Sequence, residues 1–261
     1  MGSRDAAGLT RTLDRLVSHH HDDTNRGYST ATSANVDYRL RLIARHGVLN
    51  GRWLDCGSAE GGYASSLPAF GASSVVAVDI EHPRVVEGSS QRHGASITFA
   101  CAASEALPLR DQSFDGVLLN EVLEHVADEQ ATLREIHRVL RPGGHLAVMS
   151  PNRFFPFEGH GLALRRRTVN WPVPLVPWLP QRLFRHRLRA RNYWPSQLRT
   201  LVEDAGLEVR YMQTVFPMFD RFRWLPAKTI AWVRRSPETL ERVPVIRRMG
   251  ESTLVIAQRR R

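Results

Sequence analysis

From residue 51 onward, apolar residues fall into two alternating rhythms. Short continuous runs such as Trp53-Leu54, Val75-Val76-Ala77-Val78 and Val117-Leu118-Leu119 are each followed by stretches with helical spacing. Continuous apolar runs suit strands covered on both faces, so the sheet they build is mostly parallel. The pattern predicts strands over 52–56, 74–80, 96–100, 114–120 and 145–150, and helices over 62–70, 83–93 and 128–140. Upstream, Val36, Leu40, Ile43 and Ala44 recur at helical spacing and Gly47 closes a helix over 35–46. Downstream, the rhythm resumes with a helix over 195–205 stopped by Gly206 and strands over 207–213 and 252–258. This alternation predicts an α/β fold with a doubly wound, mostly parallel, seven-stranded sheet. A ligand then belongs at the carboxyl ends of the strands.

Residues 151–194 break the rhythm. Trp171-Pro172-Val173-Pro174-Leu175-Val176-Pro177-Trp178-Leu179-Pro180 holds four prolines, which rule out a regular helix or central strand. The expected organisation is an N-terminal helical arm or lid over 1–50 and a main domain over 51–261, with 151–194 inserted as a lid for an acceptor site. Within the arm, His19-His20-His21-Asp22-Asp23 is read as a solvated loop rather than a metal site.

The net charge of +10 is unevenly placed: −4 over residues 1–150 and +14 over 151–261. A basic half can meet nucleic acid, anionic lipid or a phosphorylated substrate, although 35 of the 36 basic residues are arginine, which also fits a compositional preference. Cys56 and Cys101 sit on separate predicted strands without metal-type spacing, which points to a reducing, cytoplasmic setting. No signal peptide or membrane-spanning run is expected, since no stretch reaches about 18 uninterrupted apolar residues.

Candidate chemistry begins where the first strand enters the small-residue turn Asp55-Cys56-Gly57-Ser58-Ala59-Glu60-Gly61-Gly62. Glycine and alanine let the backbone pass close to a ligand, and the following helix N-terminus offers unpaired N–H groups. Asp55 would repel a pyrophosphate but attract a ligand carrying an ammonium and a sulfonium. Asp79 ends the second strand, 22 residues after Gly57, where a carboxylate can accept hydrogen bonds from both hydroxyls of a ribose; capping of the next helix is the plainer alternative.

With Asp55, this turn and Asp79 in hand, the chain resembles the class I S-adenosylmethionine-dependent methyltransferases. The resemblance extends through Glu105-Ala106-Leu107-Pro108-Leu109, Ser113-Phe114-Asp115-Gly116-Val117 and Leu140-Arg141-Pro142-Gly143-Gly144, in order, with a weaker echo over 193–209. It implies the Rossmann-like methyltransferase fold and S-adenosylmethionine as cofactor. Asp55 and the backbone of Gly57, Ala59 and Gly61 would hold the methionine part, Asp79 the ribose and the segment at Ala103 and Ser104 the adenine. Asn120, at the end of strand four, joins the cofactor-binding set. Many relatives carry an acidic residue for the adenine amino group where this chain has Ala103. A dinucleotide oxidoreductase also fits Gly57-x-Ala59-x-x-Gly62 loosely, but Asp55 and the Leu-Arg-Pro-Gly-Gly turn argue against it.

Strand four ends in Asn120-Glu121-Val122-Leu123-Glu124-His125, without the Pro-Pro motif of many ring- or amide-nitrogen methyltransferases. Methyl transfer from a sulfonium needs alignment, and a base when the acceptor is a hydroxyl. Glu124, His125 and, in the loop after strand five, His160 are the candidate acid–base residues, with Glu158 as helper. Glu121, Glu124 and His125 together resemble metal sites of ubiquinone-biosynthesis O-methyltransferases and small-RNA 2′-O-methyltransferases, which makes Mg²⁺ a candidate second cofactor; structural hydrogen bonding is the alternative.

The expected activity is O-methylation of a small or lipid-linked molecule of sugar, polyketide or quinone type. The alternatives are a C-methyltransferase of the quinone or lipid type, an RNA modifier and a non-catalytic cofactor-binding protein. The basic, Trp- and Pro-bearing stretch over 165–191 is read as an acceptor lid or as a peripheral membrane contact. A nucleic-acid partner is disfavoured, because no RNA-binding module is visible and the arginines alternate with apolar residues. Nothing in the sequence decides the oligomeric state.

Overall fold

The computed structural model describes residues 33–91, 96–159, 162–164, 167–169, 172–180, 188–216, 228 and 248–261. Seven strands form one sheet: β1 (Gly51–Cys56), β2 (Ala72–Asp79), β3 (Ile97–Cys101), β4 (Phe114–Asn120), β5 (Leu140–Pro151), β6 (Leu207–Val215) and β7 (Ser252–Arg259). Their spatial order is β6-β7-β5-β4-β1-β2-β3. The pairs β1–β2, β1–β4 and β2–β3 are parallel, and α1 (Ser33–Ala44), α2 (Gly62–Ser66), α3 (His82–Ser90), α4 (Glu129–Val139) and α5 (Pro195–Asp204) complete the Rossmann-like layers.

Two local departures from the sequence pattern have plain causes. The helix expected over 62–70 is α-helical only to Ser66 and continues as a 3-10 turn over Leu67–Phe70. Pro68 has no N–H for an i→i−4 bond, so the last turn tightens. β5 starts at Leu140, five residues before the expected strand. The Pro-Gly-Gly stretch reads as a turn, yet a Cβ at Gly144 would stand 3.2 Å from the Asp115 carbonyl, so the chain already lies beside β4 there.

The chain divides into two compact units. The first comprises the described parts of Met1–Leu119, Val126–Leu146 and Arg259–Arg261. Its core is built on β1, whose Trp53 and Leu54 are fully buried between β2 and β4. The arm helix α1 buries Leu40, Leu42 and Ile43 and packs on α2, so this part of the expected arm belongs to the unit's core. Trp53 pairs in register with Gly116 on β4, where a Cβ would overlap the indole ring. Gly116→Val is therefore expected to lower stability by about 2 kcal/mol or more through overpacking, read as a lower urea midpoint at unchanged slope.

The second unit comprises the described parts of Asn120–His125 and Ala147–Gln258. Asn152, 1% exposed, is its internal tie: its side-chain amide donates to the Arg248 and Gly250 carbonyls, and its backbone bridges to Tyr193. Among the described residues no helix is long and apolar enough to cross a membrane.

Candidate active site

In the first unit the turn after β1 doubles back on β2. The backbone N–H groups of Gly57 and Ser58 both donate to the Val78 carbonyl, at 2.7 and 2.9 Å. Gly57, Ala59 and Gly61 all have positive φ (81, 49 and 88°), a conformation glycine adopts without strain and alanine only at a cost. Gly61 is fixed by packing as well, since a Cβ there would stand 2.6 Å from Cζ of Phe99 on β3.

Asp79 serves this turn directly. One carboxylate oxygen accepts the Ala59 N–H and the other the Glu81 N–H, each at 2.8 Å, so the side chain pins the loop and also the entry to α3. The first N–H groups of α3 receive no side-chain cap, so Asp79 holds the residue before the helix rather than capping it, and each of its oxygens keeps a further lone pair for a hydroxyl.

Asp55 is 2% exposed and its Oδ2 has no hydrogen-bond partner, while the Ala64 backbone N–H donates to the same carboxylate. Burial, against the pull of Ala64 and with the added repulsion of Asp79, raises its carboxyl to about 7. A buried carboxylate oxygen without a donor is costly, and a cationic or N–H-bearing ligand would satisfy it. The residues present therefore fit an amino-acid-bearing sulfonium cofactor. Ala103 is buried, and the Ser104 hydroxyl is engaged with Thr132 and Glu105 at 3.2 and 3.1 Å. Glu105 in turn accepts the Ala127 N–H. Cys56 is a buried free thiol whose pKa is pushed up by burial and by Asp55, and Cys101 is also free.

In the second unit Asn120 ends β4 and Glu121 turns the chain at a positive φ of 53°. The Glu121 N–H donates to the Met149 carbonyl, and its carboxylate accepts the Ser252 hydroxyl at 2.5 Å. Glu124 is buried near Glu121, whose negative charge acts on it. Burial, then the charge of Glu121, holds Glu124 well above the usual carboxylate range. His125 stands beside it, with Nε2 3.9 Å from Glu124 Oε1; the imidazole is 26% exposed and the Glu124 side chain is fully buried. Tyr193 donates its hydroxyl to the Leu123 carbonyl and Arg191 its backbone N–H to that of Glu124, bracing the loop.

This arrangement does not match the divalent-cation reading of Glu121, Glu124 and His125. Among the described residues no three His, Cys, Asp or Glu side chains are placed to hold a metal ion. Glu158 is fully buried and accepts the Asn192 side-chain amide at 2.6 Å, a structural tie rather than a partner at an open site. His160, the arm up to residue 32 and much of 165–191 lie outside the described residues. The bracing by Ser252 and Tyr193 was not legible in the sequence; only the weak echo beginning at Tyr193 hinted at the second.

The family described as methyltransferase domain matches residues 54–148, the span from Leu54 of β1 to Val148 of β5. An uncharacterized methyltransferase of Mycobacterium marinum is 36% identical over 262 aligned residues, covering 96% of this chain and 94% of that protein. The chain belongs to the S-adenosylmethionine-dependent methyltransferases. A ubiquinone biosynthesis O-methyltransferase of Parvibaculum lavamentivorans is 28% identical over 228 residues, covering 84% of this methyltransferase and 81% of the relative. The crystal structure of an S-adenosylmethionine-dependent methyltransferase from Mesorhizobium loti shares the fold, with a TM-score of 0.59 at 19% identity over 86% of this chain and all of that one.

Proposed function

We propose that this methyltransferase O-methylates a small or lipid-linked acceptor of phenol or quinone type. The observation that carries the reading is the pairing of a half-exposed imidazole, His125, with a buried carboxyl behind it, Glu124. S-adenosylmethionine, when bound, supplies a methyl group on an electrophilic sulfonium. A hydroxyl acceptor must lose its proton as the oxygen attacks, and His125 is the group suited to take it. Glu124 is too deeply buried to touch an acceptor, so its role is that of a positioning residue behind the imidazole.

In the cradle, Asp55 would pair with the cationic end of the cofactor, the turn from Gly57 to Gly61 would follow its backbone and Asp79 would accept from the ribose hydroxyls. Ser104 is committed to Thr132 and Glu105, which would leave backbone groups around Ala103 to hold the adenine. The residues over 151–194 select the acceptor. The likeness to a ubiquinone biosynthesis O-methyltransferase supports the acceptor class.

Incubation with labelled S-adenosylmethionine and a panel of catechols and polyprenylated phenols is expected to give an acid-stable O-methyl ether. Transfer only to ring carbon, or only to RNA with binding that collapses in salt, would refute it. Calorimetry adds a second check: S-adenosylhomocysteine is expected to bind and NADH is not.

A further inference from the structure

The second unit carries a group of exposed apolar side chains used neither by the cofactor cradle nor by the Glu121–His125 loop. Phe154, Leu175, Trp178 and Leu179 are 41, 54, 48 and 39% exposed. They are gathered by specific bonds. The Leu175 N–H donates to the Pro156 carbonyl at 2.6 Å, and the Arg153 guanidinium donates to the carbonyls of Pro177 and Leu179 at 2.8 and 2.9 Å. Arg153 also stacks over Trp194, whose ring meets Phe154 edge-on at 4.7 Å.

The surface is built to point outward. Leu175 sits at φ +64°, a strained conformation for a leucine, and begins the 3-10 turn Val176–Trp178. Val176 and Pro177 are buried by that turn, which leaves Leu175 and Trp178 on the outside. Strain spent on exposing apolar side chains marks a surface that meets a partner.

Charge selects the partner. Residues 151–194 contain nine arginines and a single acidic residue, Glu158, which is fully buried and bonded to Asn192. Indole, phenyl and leucine side chains carried on so basic a stretch of sequence suit the headgroup layer of an anionic bilayer, where apolar groups enter and cations meet phosphates. A second copy would bring the same positive charges together, and Leu175 and Leu179 offer no stacking plane for a nucleobase.

We propose that Phe154, Leu175, Trp178 and Leu179 form a docking surface that rests on an anionic lipid bilayer. The proposal goes beyond the acceptor chemistry and does not depend on it. Flotation of the full chain with vesicles is the test. Binding is expected to vesicles in which part of the phosphatidylcholine is replaced by phosphatidylglycerol, with little binding to phosphatidylcholine alone and weakening as salt is added. Trp178→Ala and, separately, Leu175→Ser are each expected to weaken this binding about tenfold while leaving S-adenosylhomocysteine affinity, the measure of intact folding, unchanged. Equal vesicle binding by wild type and both variants would overturn the proposal, as would absence of binding to the anionic vesicles. Self-association abolished by Trp178→Ala, without vesicle binding, would overturn it in favour of a second copy as occupant.

Discussion

Asp55→Asn is expected to make the ligand-free protein more stable at neutral pH while weakening S-adenosylmethionine binding by about tenfold or more. Burial raises the Asp55 carboxyl to about 7, so between the ordinary carboxylate value near 4 and about 7 the folded protein holds a proton that the unfolded chain has lost. Stability therefore falls as pH rises through that window, and at neutral pH the partly ionised, buried group costs on the order of 2–4 kcal/mol. Asparagine keeps an acceptor for the Ala64 N–H and removes the charge. The cofactor reads the same group with the opposite sign: below about pH 7 its cationic end must displace a proton from Asp55. Wild-type affinity is expected to fall by up to tenfold per pH unit on acidification, and the variant to lack that slope. Thermal melts and calorimetry across pH 5 to 9 give both curves. A variant that loses stability and keeps its affinity would make Asp55 a structural residue.

His125→Ala is expected to slow single-turnover methyl transfer by about a hundredfold or more, with cofactor affinity within a factor of about two of wild type. The loss follows from removing the proton acceptor and not from collapse of the loop, whose backbone is held independently by Tyr193 and Arg191. Glu124→Gln separates the two roles within this pair. It keeps the side chain's size and removes the carboxyl behind the imidazole, so turnover is expected to fall by about tenfold with the acceptor KM unchanged. Wild-type turnover in His125→Ala would transfer the base to another residue.

Much of the fold was legible because the strands of a buried parallel sheet carry continuous apolar runs, and β4 spans the expected 114–120. Helix ends were less so, because a single Pro68 converts the last turn of one predicted helix and the Gly-rich start of β5 imitates a loop. Asp55 and Asp79 could be found because each sits at a strand end where the chain turns. The second duty of Asp79, bonding the N–H groups of Ala59 and Glu81, needed the three-dimensional path. The carboxyl pair behind His125 was not readable as such. Glu121 is held by Ser252, 131 residues away, and nothing in local spacing carries that information.

The aromatic ring of Phe99 lies against Gly61 of the turn after β1 and against Gly88 of α3, where an added Cβ would stand 2.6 and 2.5 Å from it. Glu60 completes the wedge, its carbonyl 2.9 Å from the same point at Gly88 and its carboxylate paired with Arg84. Three positions far apart in the chain thus share one volume and can drift only in concert. A lineage that enlarges residue 88 must shrink residue 99 or shift the turn, so the shape of the turn after β1 is tied to a helix on the other side of that ring.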